Sequence, residues 1–368
     1  MVIPGPDPLV SAMVWTIPSI TVTVNTVTVE ADLNVRLLEA IRTAAGLPAL
    51  TYAREPVSLT GGFWAELLAF SLAGPPPGWP RELVARIMPD AGVARKETIV
   101  QAAVSAAGFP TPAVRASGGP DSGLGRAFMI MDRAAGEPLL SGLGGAGAVA
   151  AGLRHASKLP GVLASAMADL HALDPRPVRD RLIELGDVPI TVAGLLDSLR
   201  EASARYQRAD LADAAGRLID HPPAPASEVI CHGDLHPFNI LAGSGQVTVL
   251  DWSAALLAPR AYDVAFTAWM LSEPPLLLPG PLRSPVRRTG RLLGSRFIRH
   301  YQAHAATAVS KEDLRWHQAV VCLRALVQVA GWVHDGTADD RAGHPWLVSG
   351  PALAAHLTSV TGVLVRPL

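Results

Sequence analysis

The sequence predicts an α+β chain of two lobes, an antiparallel sheet lobe with one main helix followed by a mostly helical lobe. Three observations carry that prediction. Short strand-like runs fill the first third, the pattern turns helical beyond residue 134, and a polar cluster, "VICHGDLHPFNIL" at 229–241, interrupts the helical part between apolar flanks. At 368 residues, 49% of them hydrophobic, the chain is long enough to bury a core in each lobe. Thirty-one basic residues stand against 32 acidic ones, without a long Lys/Arg block. This balance excludes a general nucleic-acid binder and leaves room for a small anionic ligand. Apolar runs are broken well short of a membrane span, so no membrane partner is expected. "MVIPGPDPLVSAMVW" lacks the basic start of a secretion signal, so a cytoplasmic location is expected. Cys231 and Cys322 are too few and too far apart for a disulfide framework and are expected to be reduced thiols.

Residues 1–30 read as an N-terminal extension, either a strand, from the Thr/Val alternation of "WTIPSITVTVNTVTV", or a disordered segment. Residues 31–133 form the first lobe and 134–368 the second. "ADLNVRLLEAIRTAAGL" has helical spacing at Leu33, Leu37, Leu38 and Ile41 and stops at Gly46. "VSLTGGFWAELLAFSL" and "RELVARIMP" are strands separated by turn signals. "AGVARKETIVQAAVSAAG" is a helix closed by Gly108, and "FPTPAVRAS" and "RAFMIMD" are two more strands. A Gly/Ala-rich stretch at 141–152 then leads into helices. Past the polar cluster, "NILAG" and "QVTVLDW" make a strand pair turning at Ser244-Gly245, and the remaining long segments are helical.

The polar cluster admits three readings. His232 and His236 have the four-residue separation of a helical zinc pair, but Gly233 lies between them and Pro237 biases His236 away from helical angles. A second reading has the side chains tie down a loop by hydrogen bonds, which is the simplest account of His232. The third reading takes in Asp251 as well. A hairpin brings Asp251 beside Asn239, presenting hard oxygen ligands suited to Mg²⁺ carrying nucleotide phosphates. Asp234 then remains to accept or orient a hydroxyl proton, and phosphoryl transfer asks for little beyond such positioning and charge.

"HGDLHPFN" followed by "VLDW" resembles the catalytic and metal loops of the aminoglycoside phosphotransferase and choline-kinase-like family. The resemblance runs along most of 31–368 and implies a bilobal protein-kinase-like fold. It implies ATP (with GTP left open) and Mg²⁺ as cofactors, Asp234 as the catalytic acid, and Asn239 and Asp251 as magnesium ligands. "MADLHALDP" is similar to the helix before the family's catalytic loop, with His171 a packed, hydrogen-bonded residue. "YDVAF" resembles its later helix, whose aspartate, here Asp263, braces that loop.

In the first lobe "LTGGFWAEL" resembles the family's turn over the phosphates, where Gly61 and Gly62 let backbone N–H groups approach the nucleotide. Strand alternation puts Val84 and Arg86 on one face, with Ala85 and Ile87 opposite. The family carries a basic residue at this point, here Arg86, a fork rather than a point charge. Glu97 matches the acid that pairs with it. Lys96 and Arg95 are expected on the helix surface. "FMIMDRAAGEPL" resembles the inter-lobe linker, so adenine is expected beside Met129–Ala134, with Met131 and Asp132 among its contacts.

The acceptor is expected to be a small hydroxylated molecule, because only eleven residues separate Asp251 from Asp263 and a peptide platform has no room. Residues 283–315 hold eight arginines and lysines against Glu312 and Asp313, which disfavours a polycationic acceptor. That stretch is either an anion site or a solvated basic helix face. Trp269, Trp316, Trp332 and Trp346 offer sugar-stacking surface or, more simply, core. A nucleotide-binding module without transfer is the alternative of a different class, and the intact set of Asp234, Asn239 and Asp251 argues against it.

Overall fold

The computed structural model describes residues 24–28, 31–59, 65–139, 148–186, 190–243, 246–274, 280–341 and 343–367. Strand β1 (Val24–Thr28) is followed by helix α1 (Ala31–Ala45), β2 (Thr51–Leu59), β3 (Glu66–Ala73) and β4 (Glu82–Met88). Helix α2 (Ala91–Ala106), β5 (Val114–Gly118) and β6 (Ala127–Asp132) complete a six-stranded sheet of order β1-β2-β3-β4-β6-β5, antiparallel throughout. Its two faces are both covered, which is why β4 reads as an almost unbroken buried run. Leu33, Leu37 and Ile41 of α1 pack on Leu68, Phe70, Ala85 and Ile87. On the opposite face Ala94 of α2 packs with Met88 and Met129. The lobe thus carries two helices, one to each face. Asp90 starts α2 by accepting a hydrogen bond from the Val93 amide at 2.9 Å.

The rest of the chain is mostly helical. Strand β7 (Glu137–Pro138) leads to α3 (Ala148–His171), α4 (Arg176–Ile183), α5 (Val192–Arg205) and α6 (Ala209–Asp220). Then come β8 (Glu228–Cys231), β9 (Ile240–Gly243), β10 (Gln246–Val249) and β11 (Leu256–Pro259). The chain continues through α7 (Ala261–Ser272), α8 (Gly280–His304), α9 (Lys311–His334) and α10 (Pro345–Thr361). β9 and β10 form the expected hairpin, Ile240 opposite Val249, and β11 pairs antiparallel with β8. Helices α7 and α9 are apolar on nearly every face because they run through the middle of the helical half. No helix among the described residues is long and apolar enough to cross a membrane.

Two of the four tryptophans considered for substrate stacking, Trp269 and Trp346, are core residues. Trp316 and Trp332 are half-buried against the same cluster. The arginines of α8 form a solvated face: Arg287, Arg288, Arg291, Arg296 and Arg299 are exposed, and Glu273 pairs with Arg287 at 3.0 Å and Arg291 at 3.5 Å.

A short junction joins the halves. The Val249 amide donates to Pro110 O at 2.8 Å, the Thr111 hydroxyl to Val249 O at 2.8 Å, and Trp252 Nε1–H to Thr111 Oγ1 at 2.9 Å. The Trp252 ring is fully buried, edge-on to Phe109 at 5.7 Å. Trp252→Ala removes the largest side chain in this junction and should cost about 3–5 kcal/mol. A chemical-denaturation midpoint will show the loss.

Candidate active site

The loop after β8 is held by one buried carboxylate. Asp263, in the first turn of α7, accepts the His232 amide at 2.7 Å on one oxygen and the Gly233 amide at 2.6 Å on the other. His171 approaches the first of those oxygens through Nε2 at 3.2 Å and bonds Tyr301 through Nδ1 at 2.7 Å. Burial would raise the Asp263 carboxyl; His171, His232 and the loop amides outweigh it and hold the group below the usual carboxylate range. Gly233 is required twice. Its φ is +73°, and a Cβ there would sit 2.2 Å from the carbonyl oxygen of Ala254.

His232 is the loop-tying residue expected of it. Its Nε2 lies 3.0 Å from the Leu250 carbonyl and must donate, while Nδ1 accepts the Asp234 amide at 3.2 Å. These partners select the neutral Nε2–H tautomer, and burial lowers the ring's pKa in the same sense. The zinc-pair reading fails here on geometry. His236 is extended (φ −143°, ψ 168°) and leads into a single 3₁₀ turn at Pro237–Asn239. A second group of ligand types, His171, Cys231 and Asp263, also comes together, but both Asp263 oxygens are already taken by loop amides.

The 3₁₀ turn aims Asn239 back at the loop. Its Nδ2 donates to Asp234 O at 3.0 Å and to Asp234 Oδ2 at 3.2 Å. With the nitrogen so committed, Oδ1 accepts no hydrogen bond among the described residues. Leu250 N donates to Asn239 O at 2.9 Å, the contact by which the hairpin returns Asp251 to the site. Asp251 has φ +64°, a left-handed conformation rare outside glycine and held by its surroundings. Its Oδ1 accepts from Ser253 Oγ at 2.6 Å and from Arg86 Nη2 at 3.0 Å. Burial would raise this carboxyl, and Arg86 with the Ser253 hydroxyl outweighs it, leaving the carboxylate favoured.

Arg86 therefore reaches across the cleft from β4. Its Nε also lies 3.0 Å from Glu97 Oε1 of α2, an approach without hydrogen-bond alignment. One guanidinium sits between two carboxylates. Burial alone would lower its pKa, and the fields of Asp251 and Glu97 reverse that. Burial raises the Glu97 carboxyl to about 7 against the opposing pull of Arg86, while Asp251 stays ionised. The oxygens of Asp251 and Asn239 are hard donors, so these residues fit a divalent cation.

The other expected contacts are less uniform. Met131 is half-buried on the outgoing strand. Asp132 is committed to Arg115 through Oδ1 at 2.5 Å and Oδ2 at 2.7 Å, and its amide donates to Ala113 O at 3.0 Å. Its side chain thus faces the edge strand β5. Gly61 and Gly62 lie outside the described residues.

Two cations were missed or misplaced in the sequence. Lys96, expected on the helix surface, is only 7% exposed: it lies beside Glu97 on the inner part of α2, where its neighbours exclude water. Arg324 of α9 donates through Nη1 to Gly233 O at 2.9 Å and to Tyr262 Oη at 3.1 Å, and its Nη2 lies 3.6 Å from Asp234 Oδ1. The signal for Arg324 was present: it is a lone charge inside the apolar run "AVVCLRALVQVAG".

A two-lobed sheet-and-helix chain with these loops is the architecture of the kinase-like phosphotransferases. A family model described as the phosphotransferase enzyme family matches residues 76–291, and the chain belongs to that family. It is a kinase-like enzyme acting on small molecules. Among solved structures, a putative aminoglycoside phosphotransferase from Ralstonia eutropha JMP134 is 18% identical with a TM-score of 0.61, over 88% of this chain and 97% of that one. A thermostable mutant of aminoglycoside phosphotransferase APH(4)-Ia, in ternary complex with AMP-PNP and hygromycin B, is 20% identical with a TM-score of 0.51, over 85% and 96%. Macrolide 2'-phosphotransferase type I is 16% identical with a TM-score of 0.52, over 94% and 100%. At these identities the likeness establishes the fold. No curated protein matches the chain.

Two predictions follow from the clamp and the buried rings. Asp263→Asn leaves one of the two loop amides on a neutral oxygen and the other facing an NH2 donor, and should cost about 3 kcal/mol, measured by denaturant titration. His232, His317, His344 and His356 all have pKa values lowered by burial, His344 to about 4. A depressed histidine protonates more readily in the unfolded chain. Stability is therefore full above the ordinary value of 6.5 and falls as pH drops towards the folded values. Melting temperature should decline across that window, less steeply in His344→Asn, where the new side chain can still cap α10.

Proposed function

We propose that the protein transfers the γ-phosphoryl group of ATP, with Mg²⁺, to a hydroxyl of a small molecule. The observation that carries this reading is the chain of contacts from Glu97 through Arg86 and Asp251 on one side, and from Asn239 to Asp234 on the other. A purely structural loop has no use for a strained aspartate held across the cleft by an arginine. That relatives of this fold are found with AMP-PNP, ADP or GDP bound supports a nucleotide in the same cleft.

In this reading Asp234 orients the acceptor hydroxyl and takes its proton as the new O–P bond forms and the bond to the departing ADP breaks. Asn239 and Asp251 hold the metal, and Arg86, braced by Glu97, contacts the phosphates. Bound Mg²⁺ supplies neutralisation of the charge on the phosphate oxygens. Met131 and its neighbours flank the base. Asp263 and His232 touch no reactant and act by fixing where Asp234 stands.

The test is ADP release by purified protein with Mg-ATP across hydroxylated compounds, run beside two variants. Asp234→Ala should lower acceptor-dependent release by about two to four orders of magnitude with nucleotide binding kept. Asp251→Ala should instead abolish the magnesium-dependent rise in melting temperature caused by nucleotide. Unchanged turnover in Asp234→Ala would remove its role.

A further inference from the structure

Arg324 is the one charge in the apolar middle of α9, between Leu323 and Ala325, which are both fully buried. Taking a guanidinium into such a setting costs free energy unless its donors are used. Its Nη1 donates to Gly233 O at 2.9 Å and to Tyr262 Oη at 3.1 Å. The guanidinium carbon stands 5.3 Å from the centre of the buried Phe266 ring, a cation–π distance. Nη2 makes no hydrogen bond among the described residues and lies 3.6 Å from Asp234 Oδ1.

Gly233 O belongs to the peptide that leads into Asp234, and the N–H of that same peptide is held by His232 Nδ1 at 3.2 Å. The peptide plane is thus fixed at both edges. Helix α7 secures the loop on either side of it, through Asp263 to the Gly233 amide and through Thr267 Oγ1 to Leu235 O at 2.7 Å. Arg324 adds a hold from a different helix, α9. The two oxygens of Asp234 are used unequally. Oδ2 accepts from Asn239 Nδ2 at 3.2 Å and has His236 Nε2 3.5 Å away. Oδ1 accepts no hydrogen bond among the described residues and faces Nη2 across a gap too long for a direct bond. The Asp234 side chain is 27% exposed and that of Arg324 17%, so a molecule in the cleft can reach both.

The geometry points to Arg324 as a positioning residue for transfer, one that fixes the peptide before Asp234 and turns Oδ1 rather than Oδ2 toward the acceptor. This rests on the phosphotransferase reading above and deepens it by assigning the oxygen that works. As Oδ1 takes the proton the acceptor's O–H bond breaks, its oxygen bonds to phosphorus, and the bond to the departing ADP breaks. A neutral amide could satisfy Gly233 O equally well. Only a planar fork holds that carbonyl with one nitrogen while the other faces the carboxylate. A displacement of about 1 Å at a reacting group is enough to lose about a hundredfold in rate, which is what this hold prevents.

The experiment takes water as the acceptor, following ADP formation from Mg-ATP over a range of nucleotide concentrations. Arg324→Gln should lower kcat about ten- to a hundredfold while KM for Mg-ATP stays within about twofold. In an Asp234→Ala background the same substitution should cost less than about twofold more, because its effect passes through Asp234. Arg324→Lys, which keeps the charge on a single nitrogen, should fall between the unaltered protein and Arg324→Gln. Tyr262→Phe removes one partner of Nη1 and keeps the ring, so it should give a smaller loss of the same kind even where Arg324→Gln does not fold. Equal losses with and without Asp234, a change confined to KM for Mg-ATP, or unchanged turnover would overturn the role and leave the phosphotransferase reading standing. No ADP from the unaltered protein, with water or with any hydroxylated compound, would overturn that reading and this role with it.

Discussion

Everything at the centre of this molecule depends on the Asp263 carboxylate. Two successive amides, His232 and Gly233, point at its two oxygens, and His171 closes the network from α3. Helix α7 is packed on nearly all faces, so the carboxylate has no freedom to follow the loop; the loop must come to it. From that anchor His232 reaches Leu250, Asn239 reaches Asp234, and the hairpin carries Asp251 into place. Charge-assisted bonds to a buried acceptor are stronger than neutral ones, which suits a loop whose own backbone is otherwise irregular.

The cleft is organised by unequal sharing of charge. Arg86 alone bridges Glu97 and Asp251 and so ties α2 to the helical half. On the other side Arg324 donates to Gly233 O and stands 3.6 Å from Asp234 Oδ1, tying α9 to the loop.

Much of the site was legible because its residues are close in sequence. Asp234, Asn239 and Asp251 lie on one loop and one hairpin, so spacing and turn chemistry suffice to bring them together. The pairing of Arg86 with Glu97 was expected from the family resemblance, strand alternation giving only the face on which Arg86 lies. Lys96 was misread as surface because its neighbours on α2 are polar or small, and only packing against the other half removes it from water. Arg324 was passed over although its apolar flanks marked it, since nothing in α9 says which distant loop the guanidinium meets.

The sequence by itself determined most of the elements and the two-lobed architecture, because those depend on local periodicity, turns and short-range spacing. It also counted against the zinc pair, since Gly233 and Pro237 disfavour the helix it requires, and the extended backbone of His236 removed that reading. Only tertiary structure decided the tautomer of His232, the commitment of Asp132 to Arg115, the burial of Lys96 and the bond from Arg324 to Gly233 O. Each depends on groups that separate elements of the chain bring together. Burial then sets what each charge costs and whom it faces, and burial is a property of the packed whole.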